Sequence, residues 1–194
     1  MPLKQLREEY CVMGYAFEVF RNQYPVVVFF VQHLAYNRGL KAAGDSPTAC
    51  KAFWTATMDG HLKIATMAWC NVFGSRKENM HWAKTPTGDI VPQAQQDFRH
   101  RVLSKTGFTQ EQWETYHKQM LDFRDKYVAH FDILEPFDGP VPLFDSALHV
   151  AYAYQEWIRE LIRPALLNQP TLSSLYEQCK AEASIAATNT IDAC

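Results

Sequence analysis

The sequence predicts an all-α fold, a single-domain helical bundle. Three observations carry that reading. Apolar residues recur at helical spacing over most of the chain, capping signals flank those stretches, and no apolar segment has a visible hairpin partner. Its 194 residues amount to one domain, read as residues 1–187 with a loosely ordered tail over 188–194. Hydrophobic residues at 47% and charged residues at 21% exclude wholesale disorder, and 13% aromatics supply a substantial core.

The elements follow in chain order. Tyr24 to Val31 is rich in β-branched and aromatic residues and alone resembles a buried strand, but the apolar stretch continues through Leu34, Ala35 and Tyr36. A buried helix is therefore expected. Asp45-Ser46-Pro47 pairs a capping residue with a first-turn proline, and the helix it opens carries Phe53, Trp54, Ile64, Met67, Ala68, Trp69 and Val72 before Gly74 closes it. A short helix runs from Val91-Pro92 to about Lys105 and ends near Gly107. Thr109-Gln110-Glu111-Gln112 is a capping box that opens the next helix, expected to reach about His130. Leu143 to Leu167 reads as a further helix, and Thr171 begins the last one. Gly74–Val91 and Glu135–Pro142 are the main irregular stretches.

Nineteen Lys and Arg against 21 Asp and Glu leave a formal charge of −2, which excludes a broad basic nucleic-acid face but not a small local site. Five widely spaced cysteines contain no Cys-x-x-Cys pair, so neither a disulfide framework nor a zinc ribbon is indicated. The N-terminus is charged from the start, and the longest apolar run, Val26 to Val31, is too short to span a bilayer. A cytoplasmic protein without a membrane partner is expected.

The helix opened by Thr109 is the most informative. Trp113, Tyr116, Met120, Phe123, Tyr127 and Phe131 form one apolar stripe, and Arg124 falls in its middle. A guanidinium there must find a carboxylate such as Asp125 or Asp132, reach a cleft, or face another chain. His130 lies six residues on, roughly 120° away on a regular helix. The two side chains therefore converge only if the helix unwinds or if two protomers share a site.

The run Phe123-Arg124-Asp125-Lys126-Tyr127-Val128-Ala129-His130 resembles the signature of HEPN domains, the α-helical family of RNase toxins and abortive-infection proteins. In that signature an Arg is followed by Asn, Asp or His, and then by a His four to six residues on, often preceded by Ala. Trp69 to Ser75, His81-Trp82 and Ala181-Glu182-Ala183 are similar to the abortive-infection-like branch, so the resemblance runs from about Ala49 to Ala183. Arg76 and His81 share the bare Arg–His spacing, but in a loop without a helical stripe.

The resemblance implies an up-and-down helical bundle with extra helices, a homodimer, and a metal-independent endoribonuclease that needs no cofactor. Arg124 would bind the scissile phosphate, His130 would transfer protons, and Asp125 would orient one of them. Lys126, Tyr127 and His81 would touch the RNA. It also implies an antitoxin or nucleotidyltransferase-like protein as a partner. The alternative is a catalytically silent HEPN domain that dimerises and binds a nucleotide or a protein. A metal-dependent bundle is disfavoured, because neither a His-x-x-x-His spacing nor a Glu-x-x-His pair on one helix face is expected around the seven histidines.

Overall fold

The computed structural model describes residues 14, 16–42, 51–129, 139–161 and 170–191. Within them the chain is an all-α bundle of six α-helices: α1 Phe17–Ala42, α2 Lys51–Phe73, α3 Val91–Thr106, α4 Gln110–Phe123, α5 Phe144–Leu161 and α6 Leu172–Ile191. Two short 3-10 turns, Trp82–Lys84 and Gly88–Ile90, lie between α2 and α3. Among the described residues, no helix is long and apolar enough to cross a membrane.

The strand-like segment is helical because its buried side chains keep a helical period. Val27, Phe30, Val31, Leu34 and Ala35 are all 1% exposed or less, and their spacing puts them on one face of α1. That helix packs against α2 and α6, while α3 packs against α5. One apolar cluster joins them, with Trp69 and Phe73 of α2, Phe98 of α3, Tyr154 and Trp157 of α5 and Tyr176 of α6 among its members.

The caps fall where the sequence puts them. Thr109 and Gln112 exchange both capping-box hydrogen bonds, Gln112 N–H to Thr109 Oγ1 at 3.2 Å and Thr109 N–H to Gln112 Oε1 at 2.8 Å. Gly107, at φ +71°, ends α3 in the left-handed conformation that only glycine adopts without strain. The Asp45-Ser46-Pro47 cap lies outside the described residues.

Two expectations need correction. A loose tail is expected over residues 188–194, of which 192–194 lie outside the described residues, yet α6 continues to Ile191, and Thr188 donates its hydroxyl back to the Ser184 carbonyl at 2.9 Å. Polar composition alone is a poor stop signal, since a side-chain hydroxyl can bond within the helix. The helix after Thr109 also does not run on as a regular α-helix. Arg124–Ala129 is a π-helix, in which each turn holds an additional residue.

Two glycines have opposite roles. A Cβ on Gly39 of α1 would stand 2.3 Å from the Lys180 carbonyl oxygen and 2.7 Å from the Ala183 Cβ of α6, so the helices touch there backbone to backbone. Gly60 of α2 has nothing within 4 Å of the same position. Gly39→Ala is expected to lower stability by about 1–3 kcal/mol. Gly60→Ala is expected to raise it by about 1 kcal/mol. Urea unfolding midpoints of the two variants should therefore move in opposite directions from wild type.

Candidate functional site

Arg124 stands at the junction of α4 and the π-helix. Its predecessors on the stripe, Tyr116, Met120 and Phe123, are buried as expected, but the Arg124 side chain keeps about one fifth of its surface exposed (19%). The guanidinium donates from Nε to Asp125 Oδ1 at 2.7 Å, and its Nη2 lies 2.7 Å from the same oxygen. This hydrogen bond holds the Arg124 pKa above its ordinary value against burial, with Asp125 and Glu78 adding favourable charge. Of the three outcomes the sequence allowed for this cation, pairing with a carboxylate is seen, and the carboxylate is that of its own neighbour.

The π-helix is tied to α2 by Tyr127. Its ring stacks on Phe123 at 4.9 Å, and its hydroxyl donates to Asp59, which also pairs with Lys63 at 2.8 Å. Lys63 Nζ sits 4.9 Å from the Tyr127 ring centre. That hydrogen bond and burial push the Tyr127 pKa up to about 12, so the phenol stays protonated. Tyr127 is thus an anchor of the turn, with its hydroxyl already engaged. Lys126 is exposed beside it. His130, expected as the proton carrier, lies outside the described residues.

Cys70, one turn before the end of α2, is fully buried, and its thiol donates to the Met120 carbonyl at 3.8 Å. Burial pushes its pKa up to about 12, with Arg124 acting the other way. It is an inert thiol rather than a nucleophile.

A second cluster lies at the far end of α2. Gly74 closes that helix, and the loop after it carries Arg76, Glu78 and His81. The loop is pinned by a buried amide. Gln23 of α1 donates to the His81 carbonyl at 2.9 Å and accepts from the Thr85 hydroxyl at 2.6 Å and the Tyr154 hydroxyl at 2.7 Å. His81 is 3% exposed, and its Nδ1 accepts the Ala83 N–H at 3.2 Å, capping the first 3-10 turn. A neutral ring that accepts at Nδ1 carries its proton on Nε2. Burial first, then Arg76, His117 and Lys84, push its pKa down to about 4. His81 is therefore neutral and held at neutral pH.

His117 of α4 faces the same helix end, with Nε2 2.9 Å from the Phe73 carbonyl oxygen and 3.2 Å from that of Gly74. Carbonyls only accept, so Nε2 bears the proton and a neutral His117 keeps Nδ1 as an acceptor. Together with Arg76, Trp82, Arg99 and Trp113, the two histidines line a cavity of about 360 Å³. His81 is the one expected site residue found here. It is not brought together with Arg124, Asp125, Lys126 or Tyr127, none of which lines this cavity.

Sequence reasoning missed His117. It stands seven residues before Arg124, two turns up the same helix face, and that spacing could have singled it out. Arg99 had no such signal, because its place depends on α3 lying beside α4. Glu78 and His81, like Glu114 and His117, have the i, i+3 spacing of some metal sites. Among the described residues, no three His, Cys, Asp or Glu side chains are grouped to hold a metal ion.

Comparison with protein-family models, with curated proteins and with solved structures finds no match in any of the three.

The buried His81 gives a signed pH dependence. Its folded pKa lies below the unfolded imidazole value, so the unfolded chain binds the extra proton. Stability is therefore fully present above about pH 6.5 and falls as the pH drops towards 4, by roughly 3 kcal/mol at full displacement. His33 and His61, 2.9 Å apart at Nδ1, are also held below the usual value by burial and add to the same loss. His81→Asn, which keeps an acceptor for the Ala83 N–H, is expected to flatten most of the slope of unfolding free energy between pH 6.5 and 4. An unchanged slope would show that His81 is not the main acid-sensitive group.

Proposed function

We propose that this chain is a metal-independent endoribonuclease of HEPN type, acting as a homodimer. The observation that carries the reading is the Arg124 cation at the head of a π-helix. It stays partly exposed amid buried aromatic residues, and Asp125 fixes its orientation. π-Turns recur at functional sites because they displace a side chain from the regular helical track.

The chemistry divides among the residues of the Arg–His run. Cleavage by 2′-hydroxyl attack needs a base for that hydroxyl, a positive group for the charged phosphorane, and an acid for the leaving 5′-oxygen. Arg124 stays charged at any working pH, and its planar donors match phosphate oxygens. His130, the residue after the π-helix in sequence, supplies an imidazole, the side chain whose ordinary pKa lies in the range that proton transfer requires. Asp125 holds the guanidinium until substrate phosphate shares or takes its donors. Lys126, exposed on the same turn, is placed to meet an RNA backbone. Within this reading an antitoxin or a nucleotidyltransferase-like protein is the natural regulatory partner.

A second reading has one specific observation in its favour. The Arg124 guanidinium already has its own counter-ion, with two of its nitrogens on one Asp125 oxygen. An arginine neutralised in this way suits a catalytically silent HEPN domain that dimerises and binds a nucleotide or a protein.

Incubation of the purified chain with single-stranded RNA in EDTA separates the two. The enzyme reading expects cleavage that falls at least about 100-fold in Arg124→Ala, and by a comparable factor in His130→Ala, with helicity and dimer retained. Activity that survives the double substitution would overturn the assignment. A wild type that dimerises but leaves a range of RNAs intact would favour the silent domain.

A further inference from the structure

A search for ligands one turn apart on a single helix overlooks ligands that two helices bring together. His33 of α1 and His61 of α2 are such a pair. Their Nδ1 atoms stand 2.9 Å apart although the residues are 28 positions apart in the chain, and both side chains are half-buried. Neighbours on both sides hold the rings. Phe29, one turn before His33, meets its ring edge-on at 4.2 Å, and the Tyr36 ring lies 6.0 Å from that of His33 and 5.4 Å from that of His61. Asn37, one turn after His33, donates its amide to the Met58 carbonyl of α2 at 2.8 Å. Burial holds both imidazoles below their usual pKa, so at neutral pH both are uncharged.

We propose that His33 and His61 together bind one divalent transition-metal ion of right-angled geometry, Ni²⁺ or Cu²⁺, through their Nδ1 atoms. Two nitrogens each about 2.0–2.1 Å from one ion stand about 2.9 Å apart at a right angle, and about 3.3 Å apart at the tetrahedral angle usual for zinc. The observed separation matches the right angle. In the pair as it stands, one Nδ1–H donates to the other Nδ1. Binding of the ion moves that proton to Nε2 of the same ring, so both imidazoles stay neutral and no proton is lost. No third His, Cys, Asp or Glu completes a cluster among the described residues, and water fills the remaining coordination positions. Nitrogen donors suit neither Mg²⁺ nor Ca²⁺, which take oxygen. Lys63, two residues after His61, has its charge engaged by Asp59 at 2.8 Å and by the Tyr127 ring, which limits its repulsion of an ion. The ion joins α1 to α2 and has no part in the proposed RNA cleavage, whose test runs in EDTA.

Isothermal titration of the untagged full chain with the chlorides of Ni²⁺, Zn²⁺ and Mg²⁺ tests this. A single Ni²⁺ is expected to bind each chain, more tightly than Zn²⁺, with no binding of Mg²⁺. His33→Gln and His61→Gln each keep a polar side chain at a half-buried position, and each should weaken Ni²⁺ binding at least about tenfold. Excess Ni²⁺ should also raise the urea unfolding midpoint of the wild type and leave that of either variant in place. Nickel that does not bind, that binds less tightly than zinc, or that binds both variants as it binds the wild type would overturn the proposal.

Discussion

The buried amide of Gln23 is the constraint on which the rest of this molecule's chemistry depends. It lies in the apolar interior of α1 with no exposed surface, where an unbonded amide would be strongly unfavourable. Its three hydrogen bonds reach the His81 carbonyl, the Thr85 hydroxyl and the Tyr154 hydroxyl, so one side chain joins α1, the loop after α2, and α5. The low dielectric around it strengthens each bond and raises the cost of losing any one. With the His81 backbone fixed, Arg76 and Trp82 on the same loop take their places at the cavity. The neutral state of His81 is part of that arrangement, because a charged imidazole there would have to be desolvated beside Arg76.

The arginines at the π-helix and at the cavity differ in their partners, on a chain whose formal net charge is −2. At the π-helix, Arg124 is neutralised by Asp125, the residue next to it, with Glu78 also acting on it. At the cavity, Arg76 and Arg99 have only neutral or aromatic partners and a single acid, Glu114, on the lining. A guanidinium with a resident carboxylate must exchange it before it can hold another anion, whereas one with neutral partners has no such competitor.

The helices were largely legible in the sequence because their signals are local. The Thr109 capping box, the Gly107 stop and the period of Val27, Phe30, Val31 and Leu34 each involve residues within two turns of one another. The stripe from Tyr116 to Phe123 was legible for the same reason, and so was the anomaly of Arg124 within it. The π-helix was not, because it depends on Tyr127 reaching Asp59, 68 residues away in the chain. Nor was the cavity, whose two arginines without a carboxylate partner come from a loop and from α3, while α4 lines the same space. Gln23 was equally silent. A glutamine near the start of a helix reads as a surface residue until three partners from two other parts of the chain close around it.

The central proposal is chemical: RNA would be cut by its own 2′-hydroxyl at a site where Arg124 supplies the positive charge. End-group analysis of RNA incubated with the full chain in EDTA addresses it most directly. The account predicts fragments that carry 2′,3′-cyclic phosphates and 5′-hydroxyls, and resistance at any position where the 2′-hydroxyl has been replaced by hydrogen. Fragments with 3′-hydroxyl and 5′-phosphate ends, or cutting at the deoxy-substituted position, would contradict it.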